Sequence, residues 1–324
     1  MSRGVGLAVL LVGAVVVVLT APLVGPVSLP FSALTDPFGS DPSSRIFWQI
    51  RVPRVVAAFL GGAGLAVGGA VFQAVFRNPL ATPYILGVAA GASFGVAAVA
   101  RIGAGVVILG LGLQSWSALG GALLAVGVVW MVTRLRPDAA SSTLLLAGVS
   151  LNFFFSSLIL FLQYTASFAD AYRVLRWLMG GLGGVDVSAV IQMTPFVVVG
   201  MAVIFAFGRE LDLLATGSEL AASRGVAVAR TRTTLFVATS VMIGGVVAAC
   251  GPIGFVGMMS PHICRLLLGP GHRLLLPSSA VFGGAFLVLC DVAARTVVAP
   301  AELPVGVITA FLGAPFFLWL LLRK

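Results

Sequence analysis

The run MIGGVVAACGPIGFVGMMSPH, residues 242–262, decides the architecture. It lies in a window without charged residues, 233–264, that is long enough for more than one membrane crossing and is interrupted at Gly251 and Pro252. Proline removes a backbone donor and biases the residue before it away from helix. The window therefore reads as a full helix followed by a short one. Eight other windows, from 4–35 to 303–322, also lack charge, and all but one of the nine exceed the ~18 residues of a candidate span. The chain thus has nine spans or ten, depending on this one break.

Composition fixes the class. Of 324 residues, 60% are hydrophobic and 9% charged, which excludes a soluble protein and identifies an all-α polytopic membrane protein. The net charge of +9 comes from short clusters between apolar runs, without the basic stripe and interleaved aromatics of a nucleic-acid binder. These clusters are topology signals. With ten spans and the N-terminus inside, Arg3, Arg77, Arg134, Arg136, Arg209, Arg224, Arg230, Arg232, Arg265, Arg273, Arg323 and Lys324 are cytoplasmic, twelve against seven outside. Nine spans would give nine against ten. The positive-inside rule selects ten, with both termini cytoplasmic. The first apolar run continues past the length of a secretory signal and reads as a retained first span.

Ten spans divide into halves of five, about 1–180 and 181–324, within a single transmembrane domain covering 1–324. A faint echo relates them: AVGGAVFQAVFRNPLATPYILG in the second span and MIGGVVAACGPIGFVGMMSPH in the seventh both run from a glycine pair to a proline-containing break. The first break faces the cytoplasm and the second faces out, the pattern of an inverted repeat lining a pathway. RNPLATP, residues 77–83, reads as non-helical backbone at a constriction, followed by Gly87, Gly91 and Gly95 on one face of the third helix, where a neighbouring backbone can approach closely.

The energy source is argued from the residues inside the spans. The only carboxylate flanked by span is Asp291, one helical turn from Arg295, and reads as a local ion pair. An ion-coupled secondary carrier, which keeps ionisable groups in its helices, is the less favoured alternative. A membrane-embedded enzyme lacks the cluster of titratable residues that chemistry needs. The only lysine is Lys324, so there is no P-loop. ATP hydrolysis is expected in a partner. The longest charged cytoplasmic segment, 209–232, reads as its docking loop, with a short amphipathic helix over 211–225 ending at Gly225. Leu211, Leu213, Leu214, Glu219, Arg224 and Gly225 are its candidate coupling residues.

Cys250, Cys264 and Cys290 have no paired spacing and read as small core residues. His262 and His272, ten residues apart with Cys264 alone beside them and no nearby carboxylate in sequence, do not make up a metal or haem site. No cofactor is expected. Arg176 and Trp177 sit at the external mouth, where interfacial anchoring is the common role of such a pair.

Five ordered blocks carry a resemblance: RVPRVVAAFLGGAGLAVGGAVFQAVFRNPLATPYILGVAAGASFG (51–95), STLLLAGVSL (142–151), RWLMGGL (176–182), GPIGFVGMMSPHICRLLLGPGHRLLLP (251–277) and AELPVGVITAFLGAPFFLWLLLRK (301–324). Together they closely resemble the permease subunits of ABC importers for iron chelates, haem and cobalamin. The resemblance implies a homodimer of ten-span subunits in the bacterial cytoplasmic membrane, two ATPase subunits beneath it, and an extracytoplasmic binding protein that delivers the ligand. It also implies that Arg51, Arg54 and Arg295 meet acidic residues of that binding protein. By the same resemblance, Asn78 and Leu80 of the NPL motif close the cytoplasmic gate together with Ser141 and Ser142.

Overall fold

The computed structural model describes residues 3–37, 41–99, 106–108, 111–135 and 141–322. The first part of the chain forms α1 (Arg3–Thr20), the short α2 (Ser32–Thr35) and α3 (Pro42–Arg45), and then α4 (Val52–Phe76), α5 (Val88–Val99), α6 (Leu113–Leu135) and α7 (Ser141–Tyr164). The second part forms α8 (Phe168–Leu178), α9 (Val187–Ala206), the short α10 (Gly208–Thr216) and α11 (Ser218–Ser223), then α12 (Val228–Cys250), α13 (Val256–Leu268), α14 (His272–Thr296) and α15 (Val305–Leu322). A π-helical turn, Ile46–Arg51, fuses α3 to α4, so that Pro42–Phe76 is one 35-residue rod. The only described strands are Val107–Ile108 and Leu111–Gly112, an antiparallel pair in the register Val107↔Gly112 ahead of α6. The alternation of spans and charged links gave no sign of them.

Among the described residues, seven helical segments are long and apolar enough to cross a membrane, and α5, α13 and most of α15 are shorter apolar helices. The rod ending in α4 is the axis of the bundle, and most of its residues are buried. Glycine sets how closely its neighbours approach. A Cβ on Gly69 would lie 1.6 Å from the Gly257 carbonyl oxygen of α13, and one on Gly62 would lie 2.2 Å from that of Gly283 in α14. Apolar side chains cannot drive helices together in lipid, so such backbone contacts and their dispersion energy supply the association. The same device joins α5 to α6, where a Cβ on Gly91 would meet Gly121 and one on Gly95 would meet Ser117. Gly87 departs from the expected helix face: it precedes α5 at φ +80° and packs against Leu151 of α7.

The break at CGPIGF is present as read. α12 stops at Cys250, Gly251 (φ +68°) and Phe255 (φ +66°) turn the chain, and α13 restarts at Val256. The three cysteines are free and buried. The loop between α9 and α12 differs from expectation. It holds two short helices rather than one, because Gly217 at φ +144° breaks the segment between Thr216 and Ser218.

Candidate functional site: a cavity between two helix breaks

The first break opens where Arg77 adopts a left-handed conformation (φ +50°) after α4. The Leu80 amide donates to Asn78 Oδ1 at 2.9 Å, and the Ala81 amide to the Asn78 carbonyl at 3.1 Å. Asn78 thus folds the turn itself, as short amide side chains do in place of a backbone partner. Leu80 is left 41% exposed. The open carbonyls of Tyr84 and Ile85 accept from Asn152 Nδ2 of α7 at 3.0 and 2.8 Å. Non-helical backbone at membrane depth needs such partners.

The second break is stitched to two other segments. The Gly181 amide donates to the Cys250 carbonyl at 2.9 Å, and the Gly306 amide at the start of α15 donates to the Gly180 carbonyl at 3.2 Å. Phe255 lies across Gly313, where an added Cβ would be 2.2 Å from its ring. Both breaks line one open cavity of about 780 Å³, with Thr82, Tyr84 and Ile85 on one side, Pro252, Gly254 and Phe255 on the other, and Met179, Met258 and Phe311 between. That volume falls in the range of small-molecule sites. Met179 also borders a second cavity of about 880 Å³ lined by Arg54, Arg173, Arg176, Trp177 and Glu302. A cationic, aromatic vestibule therefore adjoins an apolar chamber.

Of the expected gate residues, Asn78 and Leu80 lie on the first break. Ser141 and Ser142 are the first two residues of α7, and their side chains lie outside the described residues. The contacts of Asn152, with Gly148 packed on Leu86, bring α7 against the first break.

The three arginines expected to meet a binding protein are buried within the chain. Arg51, Arg54 and Arg295 are at most 6% exposed. Arg54 Nε donates to Asp291 at 2.9 Å, and its Nη1 to Glu302 at 2.8 Å. Arg295 Nε lies 3.5 Å from Asp291, and its Nη2 donates to the Ala21 carbonyl at 3.0 Å. Arg51 donates to the carbonyls of Pro22, Leu23 and Val27. Asp291 is therefore shared by two cations rather than paired with its helical neighbour alone, and the cluster ties α1, α4, α14 and the link to α15 together. Sequence spacing exposed only the Asp291–Arg295 half, because Arg54 is 237 residues from Asp291 and 248 from Glu302.

The cluster lies at the end of α14 opposite the α10–α11 loop. At the other end, the His272 backbone amide donates to Asp212 Oδ1 at 2.8 Å, and its Nδ1 is 2.7 Å from the same oxygen. His262 packs edge-on against Phe316 and Phe317. Within the loop Leu211 and Leu214 are buried in the chain's own core, whereas Glu219, Leu220 and Arg224 are exposed. Leu211 and Leu214 thus serve the fold, while Leu213 is half-buried and lines a cavity with Arg209 and Arg224. Gly225, at φ +85°, ends the loop turn.

Membrane-crossing helices around a cavity formed at two breaks define a multi-pass transport permease. Residues 10–323 match the FecCD transport family, and the chain belongs to it as an ABC importer permease. The cobalamin import system permease BtuC of Halobacterium salinarum is 41% identical over 90% of this chain and 79% of its own length. The vitamin B12 import permease BtuC of an Escherichia coli strain is 42% identical over 88% of this chain and 86% of its own. A solved structure assigned as an inward-facing, metal-chelate type ABC transporter superposes with a TM-score of 0.87 at 28% identity, covering 98% of this chain and 99% of the other.

Proposed function

We propose that this permease moves a large chelate or tetrapyrrole, of the siderophore, haem or cobalamin kind, inward across the cytoplasmic membrane by alternating access. The supporting observation is the apolar chamber between the two breaks, entered from a vestibule that carries Arg173, Arg176 and Trp177. Its aromatic and thioether walls suit a broad ring system, and the arginines suit peripheral carboxylates or phosphates. Two relatives are named for cobalamin import, which makes cobalamin the first ligand to test. Seven long and three short apolar helices support ten crossings in two inverted halves, with both termini cytoplasmic. The working unit is a homodimer with two separate ATPase subunits and an extracytoplasmic binding protein. A docking role for Arg51, Arg54 and Arg295 would require their cluster to open. The exposed Arg173 and Arg176 are cations available to an acidic partner without that rearrangement.

Reconstitution in proteoliposomes with its ATPase and binding protein tests the reading directly. Uptake of cobalamin, ferric siderophore or haem should require ATP and the binding protein and persist when ion gradients are collapsed. Gradient-driven uptake without ATP would mark a secondary carrier instead. In the same assay Glu219→Lys with Leu220→Asp, both exposed, should abolish ATPase assembly and uptake while the purified permease keeps its helical content. Normal uptake by that variant would remove the loop from the coupling surface.

Asn78, Leu80, Ser141 and Ser142 are proposed as the cytoplasmic gate, closing against the same residues of the second copy. Cysteines placed at Leu80 or Ser142 should cross-link between subunits with a yield that changes with nucleotide, since a disulfide needs Cα atoms within about 7 Å. The gate assignment fails if neither position cross-links in any nucleotide state.

A further inference from the structure

The outer faces of α9 and α12 form an open trough of about 670 Å³. Pro195, Val199 and Val203 line one wall, and Val237 and Val241 the other. Thr234 belongs both to this trough and to a second cavity of about 460 Å³, where Arg209, Arg224 and Arg230 gather with the single carboxylate of Glu210. The three arginines are exposed, and among the described residues none of them forms an ion pair. From Arg230 to Val241 is eleven residues of α12, about 16 Å at helical rise. That matches one leaflet of a hydrocarbon core about 30 Å thick.

We propose that this trough holds an anionic phospholipid of the leaflet on the side of the α10–α11 loop, its phosphate against Arg209, Arg224 and Arg230 and one acyl chain between α9 and α12. Each half of the surface selects part of the molecule. Hydrocarbon surrounds the membrane-embedded part of the groove, so an acyl chain fills it without displacing water. Guanidinium groups are matched in geometry to phosphate oxygens and bind them in bidentate fashion. An acidic protein partner would account for the arginines but would leave the apolar trough, which continues from them through Thr234, unfilled.

The whole purified chain, exchanged into nanodiscs of phosphatidylcholine with or without phosphatidylglycerol, provides the test. Native mass spectrometry reads retained lipid, and thermal unfolding reads its stabilisation. Arg224 is itself a candidate coupling residue, so Arg209→Gln with Arg230→Gln is the headgroup variant. Ala238→Trp, on the trough wall, is the acyl variant. The unmodified chain should retain phosphatidylglycerol in preference to phosphatidylcholine. An arginine near anionic lipid contributes about 1 kcal/mol, or about fivefold in affinity, so the headgroup variant should bind phosphatidylglycerol roughly 25-fold more weakly. Ala238→Trp should lose both lipids. Equal retention of the two lipids by the unmodified chain, or unchanged retention in both folded variants, overturns the proposal. Two further results would also overturn it: stabilisation by inorganic phosphate alone, which makes the arginines a free-anion site, and failure of the headgroup variant to join its ATPase while keeping its lipid, which makes them a protein contact.

Discussion

Asp291→Ala should cause the chain to lose most of its folded yield, because it leaves Arg295 without a carboxylate and Arg54 with only the half-exposed Glu302. Removing one member of a buried ion cluster costs about 3–5 kcal/mol, since the orphaned charge keeps its desolvation penalty and loses its attraction. The carboxylate is fully buried, and both cations are at most 6% exposed, so water cannot substitute for it. The measurement is thermal unfolding and monodispersity of the purified protein in detergent. Asp291→Ala combined with Arg295→Leu removes the carboxylate together with the arginine that has no other one, leaves the Arg54–Glu302 pair in place and should recover part of the loss, whereas loss of a small side chain alone would not be repaired by a second substitution. An unchanged unfolding midpoint for Asp291→Ala would show that the cluster is not a structural clamp.

Gly69→Ala should be comparably damaging, although it adds only one methyl group. Its Cβ would meet the Gly257 carbonyl oxygen at 1.6 Å, and neither partner is a side chain that could rotate away. α4 and α13 would have to separate, and overpacking of this kind costs about 1–3 kcal/mol and occasionally more. Gly127→Ala in α6 provides the control, because nothing lies within 4 Å of its added carbon. Alanine there should be neutral or stabilising by up to about 1 kcal/mol through helix propensity. The same substitution at two positions in long helices is expected to act in opposite directions. Equal unfolding midpoints for the two variants would show that α4 and α13 are not in backbone contact.

The sequence made legible what depends on local chemistry. Charge-free windows located the long helices, and Gly251–Pro252 marked the restart of the chain at α13. The glycine spacing at Gly91 and Gly95 foretold close packing, but it could not show that Gly87 stands outside α5 in a left-handed turn. The site was less legible where it depends on distant segments meeting. Met179, Phe255 and Glu302 lie in blocks whose pattern says nothing of their partners, and each gains its place from a neighbour far away in sequence. The partners of the arginines were hidden for the same reason. Arginines at helix ends beside apolar spans commonly face water or headgroups, and only tertiary folding brings Asp291 and the carbonyls following α1 to them. In the loop, apolar periodicity located the leucines, but nothing local distinguishes a leucine facing a partner from Leu211 or Leu214 facing the chain's own core.

The arginine cluster also has a history during synthesis. Arg54 is separated from Asp291 by 237 residues, and Arg295 from Ala21 by 274. At ribosomal rates, Asp291 emerges on the order of tens of seconds after Arg54. During that interval the hydrogen bonds of Arg51 to the segment after α1 can already form, while Arg54 still lacks both of its carboxylate partners. The cluster therefore cannot close until α14 and the link to α15 have been made. A chain truncated before α14 would lack both carboxylate partners of Arg54 and would leave that basic residue uncompensated.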